Sequence, residues 1–397
     1  MKPRTITERV SWVGAVDWDR RLFDALIPLP DGTSYNAYLV EGSEKTALID
    51  TVDPPFADVL FDWLSGVERI DYLVANHAEQ DHAGCIGAVL DRFPEATVLC
   101  TPKCRPLLID ELHVAEDRIQ TVADGDTVPL GDKTLKFIHL PWVHWPETMV
   151  TYLREDKVLF SCDLFGSHFA TNELCLQDES RVYGLAKRYY AEIMMPFHKL
   201  IQKHLEKLGG YDISMILPSH GPIYPRPAFI VDAYRDWTAD EPKNVVVLPY
   251  ISMHGSTRQM VDHFVAALTE RGVTVERFDL ADTDLGALAT ALVDAATIVI
   301  GTPTVLTGAH PKAVYAAYLA NALRPKAKFG SVIGSHGWAS KAVEQIAGLV
   351  GNLKLEILAP VLIKGAPREE DFRALDALAD AVADKHREAG LLKGADQ

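Results

Sequence analysis

Cysteines are scarce in this chain and show no pairing pattern. The 397 residues contain five of them: Cys85, Cys100, Cys104, Cys162 and Cys175. An odd number without a C-x-x-C pair argues against a disulfide framework and against a rubredoxin-type iron site. We therefore expect the thiols to be buried or inert.

The chain also lacks an excess of positive charge and long hydrophobic runs. Lysine and arginine total 39 against 55 aspartates and glutamates, a formal net charge of -16, whereas binding to nucleic acid needs clustered basic residues. No apolar stretch approaches the ~20 residues that cross a bilayer, and the N-terminal MKPRTITERVSWVG has no signal-peptide pattern. The sequence therefore predicts a cytoplasmic protein with no nucleic-acid partner and no membrane partner.

The chain has the composition of an ordinary soluble protein, with 48% hydrophobic and 24% charged residues. Its length favours two domains. The polar segment RDWTADEPKN at 235–244 separates stretches that differ in the spacing of their apolar residues, and it is interpreted as a linker. We predict one domain over 1–242 and a second over 243–397.

Apolar runs and helical patterns alternate throughout the second domain. The runs cover 244–250, 274–279, 297–301, 328–334 and 355–363. Segments such as 257–271 and 368–388 have the spacing of amphipathic helices. This alternation is typical of a parallel sheet covered on both faces, and five βα units fit a flavodoxin-like doubly wound α/β domain.

The first domain combines short strands with fewer helices. Strands are predicted at 36–40, 46–50, 71–75, 97–100, 134–138, 149–153 and 157–161, and helices near 55–66, 84–93 and 184–208. Turns such as Gly131–Asp132 join neighbouring strands. The pattern predicts a mixed α/β sandwich.

A dense set of metal-ligand side chains follows the predicted strand DYLVA. The next letters, NHAEQDHAG, place His77, Glu79, Asp81 and His82 within six residues. Imidazoles and carboxylates bind first-row divalent metals, and a loop at a strand end lets them converge on one cavity. The alternative is a solvated polar turn.

Three further candidate ligands each follow a strand-like run. His144 comes after LPWV, Asp163 after VLFSC and His220 after MILPS. A single histidine in such a place is usually a core or loop residue, but three residues in addition to the cluster indicate a site. Seven ligands suit two metals about 3.5–4 Å apart that share a carboxylate. The ligand types leave iron, manganese and zinc open.

A hydroxyl-rich loop follows the first strand of the second domain. In ISMHGST, Ser252, Ser256 and Thr257 supply hydroxyls, Gly255 permits a tight turn, and the following helix offers backbone amides to an anion. The loop has no G-x-G-x-x-G pattern, which favours a monophosphate over a dinucleotide. Such loops are also common helix caps.

Two more loops end at the same predicted sheet edge. They are GTPTVLTGAHP at 301–311 and GSHGWAS at 334–340. They offer backbone donors and an aromatic side chain, Trp338, which either stacks on a flavin ring or serves in packing. Because flavins bind outside the carboxyl ends of the strands in flavodoxin-like folds, the three loops together predict a flavin site.

With these motifs the chain resembles the flavodiiron proteins, also called A-type flavoproteins, over nearly its whole length. The matching pieces are H-x-E-x-D-H at 77–82, HWPET at 144–148, SCDLFG at 161–166 and PSHGPI at 218–223, together with the flavin loops. The resemblance implies a metallo-β-lactamase-like αββα sandwich followed by the flavodoxin-like domain. It also implies two irons per chain, with a catalytic ligand set in which His77, Glu79 and His144 hold one iron, Asp81, His82 and His220 hold the other, and Asp163 bridges them.

The resemblance also assigns the flavin mononucleotide (FMN) to the three loops. It places the phosphate on 252–257 and the ring on 302–308 and 335–340, with Ser340 standing where relatives often carry glycine. The predicted cofactor-binding residues are Ser252, Met253, His254, Gly255, Ser256, Thr257, Thr302, Pro303, Thr304, Val305, Leu306, Thr307, Gly308, Ser335, His336, Gly337, Trp338 and Ala339. By analogy Tyr189 and Tyr190 either lie behind the metal ligands or serve in core packing.

The implied activity is the reduction of dioxygen to water, of nitric oxide to nitrous oxide, or of both. The implied partners are an external electron donor, either rubredoxin or a reduced deazaflavin coenzyme, and a second copy of the chain in a head-to-tail homodimer or a dimer of such dimers. One alternative is a zinc-dependent metallo-β-lactamase-like hydrolase fused to a flavodoxin electron-transfer module. Zinc hydrolases of this fold typically read H-x-H-x-D-H, so Glu79, a hard anionic ligand, favours iron. A second alternative is an electron carrier that uses the flavodoxin part alone.

Overall fold

The computed structural model describes residues 2–392. Residue 1 and residues 393–397, which the predicted domains include, lie outside this range. The described chain divides into two compact units, one of residues 2–190 and Phe197–Thr238, the other of Ala191–Pro196 and residues 239–392. Within residues 2–392, none of the helices has the length and apolar character needed to cross a membrane.

The first unit contains two main sheets, two short two-stranded sheets and the helices between their strands. Its strands are β1 (Arg4–Thr7), β2 (Val10–Trp12), β3 (Ala15–Asp17), β4 (Leu22–Phe23), β5 (Ile27–Pro28), β6 (Thr33–Tyr35), β7 (Tyr38–Glu41), β8 (Thr46–Ile49), β9 (Tyr72–Val74), β10 (Thr97–Cys100), β11 (Ile119–Thr121), β12 (Thr127–Pro129), β13 (Thr134–His139), β14 (Met149–Leu153), β15 (Val158–Cys162) and β16 (Met215–Pro218). Its helices are α1 (Ala57–Trp63), α2 (Gln80–Ala83), α3 (Ile86–Arg92), α4 (Cys104–Leu112), α5 (Glu179–Tyr189), α6 (His198–Leu208) and α7 (Ala228–Thr238).

The strands form a seven-stranded sheet in the order β1-β2-β7-β8-β9-β10-β11 and a five-stranded sheet in the order β12 to β16. Side chains alternate between the two faces of each strand. On β8, Leu48 joins the core that contains Leu60 of α1 and Val89 of α3. Its neighbour Ile49 joins the core that contains Phe160 of the second sheet. The first sheet is therefore packed between helices and the second sheet, as the predicted sandwich requires.

The second unit is a parallel sheet with helices in its connections. Its strands are β17 (Val245–Tyr250), β18 (Thr274–Asp279), β19 (Thr297–Val305), β20 (Gly308–Ala309), β21 (Phe329–His336), β22 (Glu356–Ile357) and β23 (Val361–Lys364), and its helices are α8 (Ser256–Glu270), α9 (Leu285–Leu292), α10 (Pro311–Leu323), α11 (Ala342–Leu349) and α12 (Glu369–Glu388). The order β18-β17-β19-β21-β22, with β23 also paired to β21 in parallel, confirms the flavodoxin-like doubly wound fold.

Three predicted elements differ from the structure. The single strand at 355–363 is two short strands, because Pro360 lies between them and offers no N–H to the ladder. The continuous helix at 184–208 is interrupted by a π-helical turn at Tyr190–Met194 and a 3₁₀ turn that contains Pro196. The proposed linker at 235–244 begins too early, since residues up to Thr238 belong to α7.

Candidate metal centre and flavin edge

The seven predicted metal ligands meet at one edge of the sandwich in the first unit. His77 and Glu79 lie in the loop after β9, and the short helix α2 carries Asp81 and His82. The other three lie on connections of the second sheet. His144 lies between β13 and β14, Asp163 directly follows β15, and His220 lies two residues beyond β16. Potential ligand atoms of this set lie within 4.8 Å of one another in two groups that both contact Asp163.

The first group consists of His77, Glu79 and His144. The Nε2 atoms of both imidazoles lie 3.1 Å from Oε2 of Glu79. Each also lies 3.6 Å from Oδ2 of Asp163. Two imidazoles and two carboxylates thus point at a single position.

The second group consists of Asp81, His82 and His220. His82 Nε2 lies 3.4 Å from Oδ1 of Asp81, and His220 Nε2 lies 3.2 Å from Oδ2 of the same carboxylate. Their distances to Oδ1 of Asp163 are 3.1 and 3.4 Å. Asp163 therefore presents one oxygen to each group, the arrangement expected of a bridging carboxylate.

Buried polar atoms at this site fit metal ions. Both oxygens of Asp81, both ring nitrogens of His82 and Oδ2 of Asp163 are buried without a hydrogen-bond partner among the described residues. Such atoms are costly unless a partner satisfies them. Hard carboxylates mixed with imidazoles suit iron, manganese or zinc ions, and Glu79 shifts the first group towards iron.

The electrostatics of the cluster point the same way. Burial alone would raise the pKa of Asp163, but the surrounding imidazoles, that of His82 foremost, hold this pKa well below its usual range. Burial also opposes a charge on His144 and His220, yet the adjacent carboxylates raise the pKa of His144 to about 9 and that of His220 to about 10. The carboxylates thus attract positive charge to a buried place, as a cation site requires.

Several residues that the sequence did not single out hold the ligands in place. Glu147 Oε1 lies 2.6 Å from His77 Nδ1, and the carbonyl oxygen of Ser34 lies 2.6 Å from His220 Nδ1. Asp50 accepts hydrogen bonds from the backbone and side-chain amides of Asn76, which fixes the chain just before His77. The carboxylate within HWPET was the available sequence signal for Glu147. The contact of Ser34 with His220 uses a backbone carbonyl, which every residue has, so no sequence signal could indicate it.

The two tyrosines considered by analogy have different roles. The Tyr189 hydroxyl donates a hydrogen bond of 2.8 Å to Oδ1 of Asp163 and so lies directly behind the ligand set. The Tyr190 hydroxyl donates to the carbonyl of Trp237, within an aromatic cluster that joins the π-helical turn after α5 to α7. Core packing therefore describes Tyr190 but not Tyr189.

A cavity of about 360 Å³ gives access to the cluster. Its lining includes the candidate ligands Glu79 and Asp81, and the Glu79 side chain is 16% exposed. Its other lining residues are Arg20, Phe23, Asp24, Asp53, Gln80, Glu111 and Trp145. The site is thus buried on the protein side but open to a small molecule from this cavity.

The predicted flavin residues lie at the carboxyl edge of the parallel sheet in the second unit. After β17, Ser252 Oγ accepts hydrogen bonds from the backbone N–H groups of Gly255 and Arg258, and Gly255 has a positive φ of 90°. Met253 and His254 are exposed in this turn. Ser256 and Thr257 begin α8, so free backbone N–H groups surround the turn, as a phosphate site needs.

The second and third loops follow β19 and β21 at the same edge. Pro303, Thr304 and Val305 close β19, and Leu306 and Thr307 turn the chain into β20, which begins at Gly308. The Thr302 hydroxyl accepts from the backbone of His310. The hydroxyls of Thr304 and Ser340 are 2.7 Å apart. Ser340 thus joins the two loops.

The third loop contains Ser335 and His336 at the end of β21, followed by Gly337, Trp338 and Ala339. The Ser335 hydroxyl lies 3.5 Å from that of Thr257, which connects this loop to the first. Leu306 and Trp338 are 90% and 81% exposed, and Nδ1 of His336 is buried without a hydrogen-bond partner in the described chain. Exposed apolar side chains beside unsatisfied polar groups fit a flat aromatic ring with polar edges.

The fold and the two sites define a protein that joins a metallo-β-lactamase-like metal domain to a flavodoxin-like domain. A family model described as "ODP family beta lactamase" matches residues 33–221, and the flavodoxin model matches residues 248–375. The chain is 34% identical over 395 residues to a nitric oxide reductase of Moorella thermoacetica, covering 96% of this chain and 98% of the relative. It is 32% identical to the anaerobic nitric oxide reductase flavorubredoxin of Klebsiella pneumoniae, over 94% of this chain and 79% of that protein.

Solved structures agree with this assignment. The rubredoxin:oxygen oxidoreductase of Desulfovibrio gigas superposes with a TM-score of 0.94 at 29% identity, covering 98% of this chain and all of that one. The flavodiiron protein of Giardia intestinalis has a TM-score of 0.90 at 29% identity, covering 97% and 98% of the two chains. The chain belongs to the flavodiiron protein family, which confirms the predicted resemblance, and its cofactors are those of the family, FMN and a di-iron site.

Proposed function

We propose that this protein is an oxidoreductase that reduces dioxygen to water, nitric oxide to nitrous oxide, or both, with electrons from an external donor. The proposal depends above all on Asp163, whose two oxygens face two separate ligand groups. A pair of irons supplies a place for a diatomic ligand and two stored electrons, and FMN supplies two more. The names of the relatives, a nitric oxide reductase and a rubredoxin:oxygen oxidoreductase, support both substrates.

In this proposal His77, Glu79 and His144 hold one iron, and Asp81, His82 and His220 hold the other. These residues and the bridging Asp163 are also the catalytic set. The phosphate of FMN binds residues 252–257, and its ring binds the loops at 302–308 and 335–340. The proposed domains are 1–242 for the irons and 243–397 for FMN.

The residues of this chain restrict what reaches the irons. The cavity of about 360 Å³ admits a diatomic gas, and its carboxylates at Asp24, Asp53 and Glu111 repel anionic substrates. The buried ligand set excludes bulk water from most of the site, which strengthens its electrostatic interactions. Both features suit a gas reductase.

Electron delivery requires partners. We propose a head-to-tail homodimer, or a dimer of such dimers, in which the flavin of one chain faces the irons of the other. Rubredoxin or a reduced deazaflavin coenzyme is the proposed donor, in the cytoplasm. A variant forced to be monomeric should keep both cofactors and lose turnover. Full activity in a verified monomer would refute the dimer proposal.

A single experiment tests the proposed function against the alternative of a zinc hydrolase. The anaerobically purified protein should contain two irons and one FMN per chain and should consume dioxygen or nitric oxide after reduction. Chelated protein without iron is the control. It should not consume nitric oxide, and any dioxygen that its reduced flavin consumes should appear as hydrogen peroxide and not as water. Two zinc ions per chain together with hydrolysis of a lactam or thioester would refute the proposal.

A further inference from the structure

The two ligand groups differ in the residues that stand behind them. In the first group, His77 Nδ1 lies 2.6 Å from Oε1 of Glu147, a carboxylate that is 1% exposed. The same oxygen accepts a hydrogen bond of 3.1 Å from the backbone N–H of Ala78. The imidazole of His77 therefore faces an anionic acceptor that is itself held in place.

The hydrogen-bond partners of the second group are neutral or electron-withdrawing. His220 Nδ1 lies 2.6 Å from the carbonyl oxygen of Ser34. Nδ1 of His82 is buried without a hydrogen-bond partner among residues 2–392. The Tyr189 hydroxyl donates to Oδ1 of Asp163, and this is the oxygen that faces the second group.

These contacts shift electron density in opposite directions. An anionic acceptor on an imidazole N–H makes the other ring nitrogen a stronger donor to a metal. A hydroxyl that donates to a carboxylate oxygen makes that oxygen a weaker donor. Both contacts are buried, where electrostatic effects are larger than in water.

We propose that Glu147 and Tyr189 are positioning residues that make the two metal positions inequivalent. Glu147 strengthens the His77, Glu79, His144 position, and Tyr189 weakens the Asp81, His82, His220 position. The first position therefore favours ferric iron, and the second takes the first electron when the pair is reduced. This inference rests on the proposed di-iron function.

The redox arm of the test uses full-length protein with two irons per chain, titrated anaerobically with dithionite. The mixed-valent pair, one electron per two irons, is counted by its EPR signal, separately from the flavin radical. Glu147→Gln should raise the potential of the second reduction step, and Tyr189→Phe should lower that of the first. Each change should reduce the comproportionation constant about tenfold, which corresponds to about 59 mV.

Two matched controls separate this effect from a general loss of charge or hydroxyl. Glu111→Gln removes a carboxylate that lines the cavity beside Glu79 and Asp81, and Tyr190→Phe removes the hydroxyl that donates to the Trp237 carbonyl. Both controls should leave the mixed-valent yield unchanged. The proposal is overturned if Glu147→Gln and Tyr189→Phe behave like the controls or if either shifts in the opposite direction.

A metal-binding arm tests Glu147 without reference to any reaction. Apo-protein is titrated with Co²⁺ and followed by its visible absorption. Glu147→Gln should weaken one of the two binding steps 10–100-fold and leave the other unchanged. Equal weakening of both steps, or of neither, overturns the role of Glu147. If the two metal positions respond unequally as predicted but the protein consumes neither dioxygen nor nitric oxide, the proposed function is refuted and the inference about the two positions stands.

Discussion

The buried histidine of the flavodoxin-like unit predicts a defined loss of stability in mild acid. His386 lies near the end of α12 and is fully buried between Asn244 and Thr297, at 2.7 and 2.8 Å from their side-chain oxygens. Burial lowers the pKa of His386 to about 4. In the unfolded chain this histidine has the usual pKa of about 6.5, so between about pH 6.5 and pH 4 the unfolded chain binds a proton that the folded unit does not bind.

The sign and size of the effect follow from this difference. The contribution of His386 to stability is complete above pH 6.5 and declines as the pH falls towards 4. Between about pH 7 and pH 5 the loss amounts to about 2 kcal/mol. Urea unfolding at both pH values, followed by flavin release and circular dichroism, measures it.

The variant His386→Gln removes the titrating ring and should reduce the difference between the two pH values by about 2 kcal/mol. The matched control is His263→Gln, which replaces a half-exposed histidine paired with Asp376 in the same unit and should retain the full difference. An unchanged pH dependence in His386→Gln would refute the reasoning.

Three further predictions concern the sites. Asp163→Ala removes the carboxylate shared by both groups. Because the loss of a residue that only hydrogen-bonds to a metal ligand lowers metal affinity 10–100-fold, iron affinity should fall by more than about 100-fold in a chelator competition. Two tightly held irons per chain would contradict the bridging role. Glu79→His gives the ligand run of zinc hydrolases, so the zinc-to-iron ratio of the purified protein should rise at least tenfold by elemental analysis, and an unchanged ratio would contradict the role assigned to this carboxylate. Gly334→Ala would place a Cβ 1.9 Å from the Thr302 carbonyl oxygen, which should cost about 1–3 kcal/mol in thermal unfolding and weaken FMN binding, whereas Gly348→Ala, in open space on α11, should not destabilise the protein.

Much of the fold could be predicted because its signals are local. The strands predicted at 274–279 and 149–153 coincide with β18 and β14. Interruptions within a strand or helix were harder to predict, since Pro360 and Pro196 act through a missing N–H and not through hydrophobicity. The polar end of α7 resembled a linker because, over residues 235–238, its buried face consists only of Trp237 and Thr238.

The sequence indicated the seven candidate ligands that lie together in the structure, but not the residues that support them. His77 to His82 form a compact motif, and the structure brings the three distant candidates to them. Glu147 lies in the loop between β13 and β14, 70 residues from His77 in the sequence, and the fold alone brings the two side chains together. Tyr189 contacts Asp163 from α5, and sequence spacing does not encode such a contact.

The most direct test of the account is gas consumption by the anaerobically reduced protein, measured for dioxygen and nitric oxide side by side with iron, zinc and FMN content. The account predicts two irons and one FMN per chain and catalytic uptake of at least one of the two gases. Protein that holds both cofactors and consumes neither gas, with an external reductant supplied, would contradict it.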